Sequence, residues 1–229
     1  MSGPDGAAAS EAAREKIMAR LRKRMPADAA ARTAGAQARL AGGARGLAPV
    51  PAQARAEGAA RQALFEEKLR KVDGTLTRLA SMADLPAALA QELRARNLPR
   101  AIRMGHEPDF EGLDWQGTEV TRGPGRLEEP AALSRAVAGV AETGTLVLTS
   151  GPENPVTLTF LAETHFAVLR ASEVAAGLEQ VWEGLRRAGA ASSRTVNFVT
   201  GPSRSADIGQ TLQLGAHGPV ALHVFLIED

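Results

Sequence analysis

The run VALHVFLIE, residues 220–228, limits the possible folds more than any other feature of the chain. From Val220 to Ile227 every residue except His223 is apolar. A strand with one wet face alternates apolar and polar side chains, whereas a strand buried on both faces has no need to. This run is too apolar for an edge strand facing water, so it calls for a sheet covered above and below. The segments before it suit such a sheet. HFAVLRA (165–171) reads as a strand. Residues 173–188 read as a helix with Val174, Leu178, Val181, Trp182 and Leu185 on one face, opened by Ser172 and closed by Gly189. RTVNFVTG (194–201) reads as another strand. Strand, helix and strand at this spacing predict a βαβ unit with its two strands parallel.

The rest of the chain extends the pattern. Helices are expected at 61–72, with Leu64, Phe65, Leu69 and Val72 on one stripe, and at 84–97. Short strands are expected at 74–80, 100–105 and 144–151, and a short helix at about 130–140. Residues 106–129 read as irregular, and GPENP (151–155) as a turn-rich loop that could serve as a lid. TLQLG (211–215) and the turn AHGP (216–219) lead into the last strand. The expected fold class is α/β, a mostly parallel sheet with helices on both faces.

Residues 10–25 predict an amphipathic helix with Ile17, Met18, Leu21 and Met25 on one face and arginines and lysines around the rest. Residues 26–59 are rich in Ala, Gly, Pro and Arg with almost no large side chain, which predicts a linker with at most one Ala-rich helical piece. The expected division is thus 1–59, helix plus linker, and 60–229, an α/β domain.

Composition narrows the function classes. The 27 basic and 26 acidic residues leave a net charge of +1, without the basic excess that general nucleic-acid binding needs. Tyr is absent and aromatic residues make up 3%, which argues against base stacking. There is no cysteine, so this chain can hold neither a disulfide nor an iron–sulfur cluster on its own thiolates. The four histidines show no metal spacing, and no metal site is expected. The first residues lack the pattern of a signal peptide, and no apolar run is long enough for a membrane span. A cytoplasmic protein is the expectation.

FVTGPSRSADIGQ (198–210) is the richest stretch for chemistry. An apolar run stops at Gly201-Pro202, and Ser203, Arg204, Ser205 and Asp207 follow. If a parallel strand ends here and a helix begins, the site lies in the crevice where open α/β sheets bind ligands. The helix amides and Arg204 would then hold a small anion or a phosphate group. The competing reading makes a serine the helix cap and pairs Arg204 with a nearby carboxylate. AETGTLVL (141–148) is the second candidate. Gly144 permits a tight turn between Thr143 and Thr145, and Glu142 is a possible base, nucleophile or structural ion-pair partner. His217, in a Gly-rich turn, could face the same crevice. His223 reads as a packed structural histidine, and His165 and His106 carry no signal of their own.

These blocks also carry a family likeness. AETGTLVL, THFAVL (164–169), VTGPSRSADIGQTLQLGAHGP (199–219) and LHVFLIE (222–228) resemble the lactate-utilisation protein C family, the LUD-domain proteins, over roughly residues 60–229. The resemblance implies the fold shared by sugar-phosphate isomerases, CoA transferases and the folate cyclo-ligase. It also implies a place in a three-component system that oxidises L-lactate to pyruvate, whose other components carry iron–sulfur clusters. Glu142, Thr143, Gly144, Thr145, Gly201, Pro202, Ser203, Arg204, Ser205, Asp207 and His217 fall on the family's motifs as candidate crevice residues. Ser205 stands where Thr is expected and Gly209 where an acidic residue is expected. Two alternatives stay open: a self-contained acyl-CoA-type transferase or ATP-dependent folate cyclo-ligase that uses Glu142, and a purely structural assembly subunit.

Overall fold

The closing run forms a strand inside a sheet, with a neighbour on each side. The structure, a computed structural model, describes residues 4–24, 28–42, 50–115, 117–127, 129–208, 211–215 and 217–228. It divides into a unit over Met1–Pro49 and a second over Val50–Asp229. The first unit contains α1 (Pro4–Arg24) and α2 (Ala29–Gly42). On α1, Ile17, Met18 and Leu21 are exposed; Met25, expected on the same face, lies outside the described residues. The Ala-rich helical piece foreseen within 26–59 corresponds to α2.

In chain order the second unit runs α3 (Gly58–Lys71), β1 (Thr75–Leu79), α4 (Leu85–Ala95), β2 (Ala101–Met104), β3 (Glu119–Arg122), β4 (Ala131–Arg135), β5 (Ala138–Val140) and β6 (Thr145–Thr149). It continues with α5 (Val156–Leu161), β7 (Thr164–Arg170), β8 (Val174–Ala175), α6 (Leu178–Arg187), β9 (Val196–Val199), β10 (Arg204–Ile208), β11 (Thr211–Leu214) and β12 (Ala221–Ile227). Six strands form one sheet in the order β1-β12-β7-β4-β2-β3, and every pairing in it is parallel. A four-stranded sheet has the order β8-β5-β6-β9, and β10 pairs antiparallel with β11.

Alternation along β12 sorts the core into two layers. Leu222, Val224 and Leu226 join Phe65 and Leu69 of α3, Leu146 and Leu148 of β6, and Ala167 and Leu169 of β7. Phe225 and Ile227 face the other way, against Leu85, Leu89 and Leu93 of α4 and Phe166 of β7. Helix α5 lies on the α3 side of the sheet, where Leu158 and Ala162 pack on Ala132 of β4. Val181 and Leu185 of α6 cover the small sheet through Val140 and Val147. Both faces of the parallel sheet are thus covered, as the apolar run required.

Several local expectations are corrected. Residues 130–140 form β4 and β5 in place of a helix; a short apolar run buried on both faces has no period that separates strand from helix. The irregular stretch 106–129 contains the edge strand β3, and α5 follows the GPENP loop. The helix expected over 173–188 starts at Leu178, because Val174–Ala175 pair with Gly139–Val140. Strands β7 and β9 do not form a βαβ unit. β7 lies in the large sheet, whereas β9 pairs antiparallel with β6 in the small one. No helix follows Gly201; β10 and β11 form a hairpin there.

His223 is the polar exception in β12, and it is 2% exposed. Its Nδ1 lies 2.7 Å from Thr75 Oγ1 and accepts from the Arg96 guanidinium at 3.3 Å, which leaves the ring proton on Nε2. Burial, assisted by the Arg96 charge, lowers the imidazole pKa from 6.5 to about 3. The ring is therefore neutral at pH 7, and the 3.7 Å approach of the Glu92 carboxylate is not an ion pair.

Two predictions follow from this packing. Gly144 and Gly201 both have left-handed backbones (φ +68° and +77°), and a Cβ on either would strike the carboxyl-terminal backbone of α3, at Leu69 and Val72 respectively. Gly144→Ala and Gly201→Ala should each cost roughly 2 kcal/mol or more in urea unfolding. The depressed pKa of His223 also sets a sign for acid destabilisation. Its contribution is full above pH 6.5 and declines as pH falls toward 3, because the unfolded chain takes up a proton that the folded chain refuses. Stability should fall in this window with a slope of up to about 1.4 kcal/mol per pH unit from this group. Unfolding curves of His223→Gln should show a shallower decline over the same range.

Candidate functional site

The carboxyl ends of parallel strands are where open α/β sheets usually hold ligands. Here that edge carries a network of paired charges. Arg135, at the end of β4 and nearly buried, donates to Asp109 at 3.1 Å and to Glu173 at 2.6 Å; Arg170, at the end of β7, donates to Asp109 at 3.1 Å. Burial acts to raise the Asp109 pKa, but the bonds from Arg135 and Arg170 outweigh it and hold the carboxyl below its usual range. Nearby Glu107 goes the other way, pushed up by burial and by the neighbouring carboxylates of Asp109 and Glu153.

The motif-bearing residues gather at the opposite edge. From the end of β9, Thr200 leads into Gly201. Thr200 Oγ1 lies 2.7 Å from Thr145 Oγ1, which lies 2.7 Å from Thr143 Oγ1, so the two sequence blocks meet through a chain of hydroxyls. The Ser203 N–H donates to Pro219 O at 2.8 Å, and the Gly215 N–H donates to Ser203 O at 3.1 Å. These bonds fasten the Gly-Pro-Ser segment to the turn that carries His217.

Between the segment and the turn lies a cavity of about 180 Å³. Residues 201–203 and 217–219 form two of its walls; Val199 of β9, Thr159 of α5, His165 of β7 and Leu222 of β12 close it. His165 and Leu222 are each the second residue of their strands, so the cavity opens on the amino ends of the parallel strands. This corrects the expected placement beyond a parallel carboxyl end, since β9 pairs antiparallel with β6 in the small sheet.

The floor of the cavity carries buried polar groups. His165 is fully buried and Thr159 is 1% exposed. Neither ring nitrogen of His165, nor the Thr159 hydroxyl, has a hydrogen-bond partner among the described residues. Most buried polar groups have one, and an orphaned group costs about 1–3 kcal/mol. Burial lowers the His165 pKa to about 4, so its imidazole is neutral at pH 7. His217 is exposed and stands at the rim.

The other sequence candidates sit elsewhere. The Arg204 guanidinium pairs with the Asp73 carboxylate at the end of α3, both half exposed, and is not among the cavity walls. Glu142 Oε1 accepts the Leu178 N–H at 3.0 Å, so this carboxylate caps α6 from a distance. Thr145 is buried within the hydroxyl chain, and Gly144 closes on α3. The side chains of Ser205 and Asp207, and Gly209, lie outside the described residues. Among the described residues no group of three or more His, Asp or Glu is arranged to hold a metal, and no helix is long and apolar enough to cross a membrane.

Sequence reasoning missed His165 and Thr159. The available signal was a histidine inside the apolar strand THFAVL, where a polar side chain turned inward needs a partner. A cavity of this kind, small and mostly apolar with a few convergent polar groups, is suited to a compact ligand and not to a nucleotide.

Comparison with known proteins agrees with this architecture. Residues 62–227 match the family model described as LUD domain. The chain is 35% identical over 118 residues to a lactate utilization protein C of Anoxybacillus flavithermus, covering 48% of this chain and 51% of that one. It is 33% identical over 143 residues to a lactate utilization protein C of Bacillus pumilus, covering 57% and 60%. An uncharacterized protein of Neisseria meningitidis is 38% identical over 97 residues, 42% of each chain. The chain spans about half the length of the curated relatives it matches. Among solved structures, a DUF162 family protein from Deinococcus radiodurans aligns with a TM-score of 0.57 at 22% identity, over 73% of this chain and 96% of that one, a likeness of fold. With the family model covering most of its length, this chain belongs to the LUD-domain family.

Proposed function

We propose that this protein is a component of an L-lactate utilisation system, acting in the oxidation of L-lactate to pyruvate beside iron–sulfur partner proteins, and that it holds a small carboxylate in the cavity at the amino ends of β7 and β12. The observation that carries the ligand reading is the fully buried His165, with both ring nitrogens unpartnered, facing the segment that bears the Gly-Pro-Ser motif. The relatives named lactate utilization protein C support the pathway. A chain without cysteine leaves cluster chemistry to its partners.

The walls suit a short hydroxy or oxo acid. Val199, Pro219 and Leu222 offer apolar surface to a methyl group. The imidazole, the Thr159 hydroxyl and Ser203 offer hydrogen bonds to oxygen atoms. At about 180 Å³ the cavity is well below the roughly 300–1,000 Å³ usual for larger ligands. That size favours a bare carboxylate over a phosphate-bearing cofactor. The redox step belongs to the partners; this chain's part is to bind and orient.

Isothermal titration with L-lactate and pyruvate tests the binding. Thr159→Val and His165→Gln should each weaken it by about tenfold or more, the loss of one buried hydrogen bond with its partner left unpaired. Arg204→Ala, which removes a surface ion pair away from the cavity, should change affinity by less than about twofold. No measurable binding of either acid at millimolar concentration would rule out the ligand reading. For the pathway, a strain lacking the gene and any paralogue should fail to grow on L-lactate as sole carbon source; unimpaired growth would remove the assignment.

A further inference from the structure

The cavity differs from common carboxylate sites in what it lacks. Small anions are usually gripped by arginine, by lysine or by helix amino ends. Among the described residues none of these walls the cavity. Arg204 is turned to Asp73, and the segment after Gly201 is a strand. Among the described residues, the groups beside His165 are uncharged: its register partners are Ala132 of β4 and Leu222 of β12, and Thr159 of α5 lines the same cavity. His217, on the turn at the rim, is the one other titratable side chain among the described walls. A carboxylate entering this hollow as an anion would lose its hydration and meet no fixed positive charge, which is strongly unfavourable.

Resting on the function proposed above, we propose that the cavity takes up a small monocarboxylate together with one proton, His165 becoming the imidazolium that pairs with it. The proton comes from solvent and is held on the ring, so the bound pair is neutral overall and no bond in the ligand is broken. The geometry is that of a ring lining the cavity with both nitrogens unpartnered among the described residues, so that a bound carboxylate can take one of them as its partner. In the free protein burial keeps the ring neutral well into the acidic range. The ligand's negative charge reverses that preference, because an opposite charge at close range in a buried site favours the protonated ring. A cavity built this way admits its ligand more readily as pH falls, and releases it together with its proton.

Calorimetry and histidine NMR on the intact wild-type protein, with L-lactate as the probe, decide the matter. L-lactate is itself ionised throughout pH 5.5–6.5, above the ordinary α-carboxyl range of about 3.3–3.7. Its affinity should fall about tenfold across that one pH unit. Titrations in two buffers of different ionisation enthalpy should report uptake of about one proton per ligand bound. The chain has four histidines, so the ring nitrogens of each can be resolved in a ¹⁵N spectrum. His165 should change from the neutral to the imidazolium pattern when the ligand saturates the protein at pH 6. Binding without proton uptake, or uptake that appears on His217 while His165 stays neutral, overturns this inference and leaves the proposed function standing. If neither L-lactate nor pyruvate binds, this inference and the ligand reading fall together, while the pathway assignment stands on the growth test.

Discussion

The rest of the structure depends on burial of one strand on both faces. β12 lies between β1 and β7, paired to each over most of its length. Its side chains alternate between the layer of α3 with the small sheet and the layer of α4. A strand held like this fixes the height of both layers relative to the sheet, because shifting its register by one residue would exchange its two sets of side chains. Parallel pairing also requires crossover connections; α5 lies on the one from β4 to β7, α4 on the passage from β1 to β2, and both helices pack on the sheet. Thus the apolar character of residues 220–227 and the layered architecture express one constraint.

The two ends of the parallel sheet have different physics. At the carboxyl edge, Arg135, Asp109, Arg170 and Glu173 satisfy one another. Each of these four charges has a partner of opposite sign. At the amino edge, the cavity beside His165 contains dipoles and an imidazole but no fixed charge among its described walls. Desolvation is tolerated at the first edge because opposite charges pair, and at the second because the buried ring is neutral. The unpartnered ring nitrogens of His165 and hydroxyl of Thr159 thus lie at the edge where fold precedent alone would not place a site.

Much of the architecture could be read from the residues because burial leaves periodic marks. The stripe Leu64, Phe65 and Leu69, and the runs at 165–171 and 220–228, fall on the elements they predicted. Where the reading failed, the local signal was ambiguous. Ala131–Val140 consists mostly of small apolar residues with no clear period, and two short buried strands look like one helix. Val174 and Leu178 suggested one continuous helix face, yet Val174 belongs to a strand of the small sheet. The Gly-Pro-Ser segment looked like a strand running into a helix. The alternation in TLQL, together with pairing to β10, made it a hairpin.

The site divides in the same way. Gly201, Ser203 and His217 were visible as an unusual cluster, because glycine, proline and small polar residues between apolar runs mark a specialised loop. Sequence alone also determined that no disulfide or thiolate-held cluster is possible, and that a strand as apolar as 220–227 must be covered on both sides. Only the tertiary structure decided that β7 and β9 lie in different sheets. It likewise decided that Arg204 and Glu142 are engaged with Asp73 and the α6 backbone, and that His165 faces the motif loop. The reason is physical: covalent neighbours and periodicity fix which face of an element is apolar. The partner of a polar side chain is set by contacts between residues far apart in the chain, and those exist only once the layers have packed.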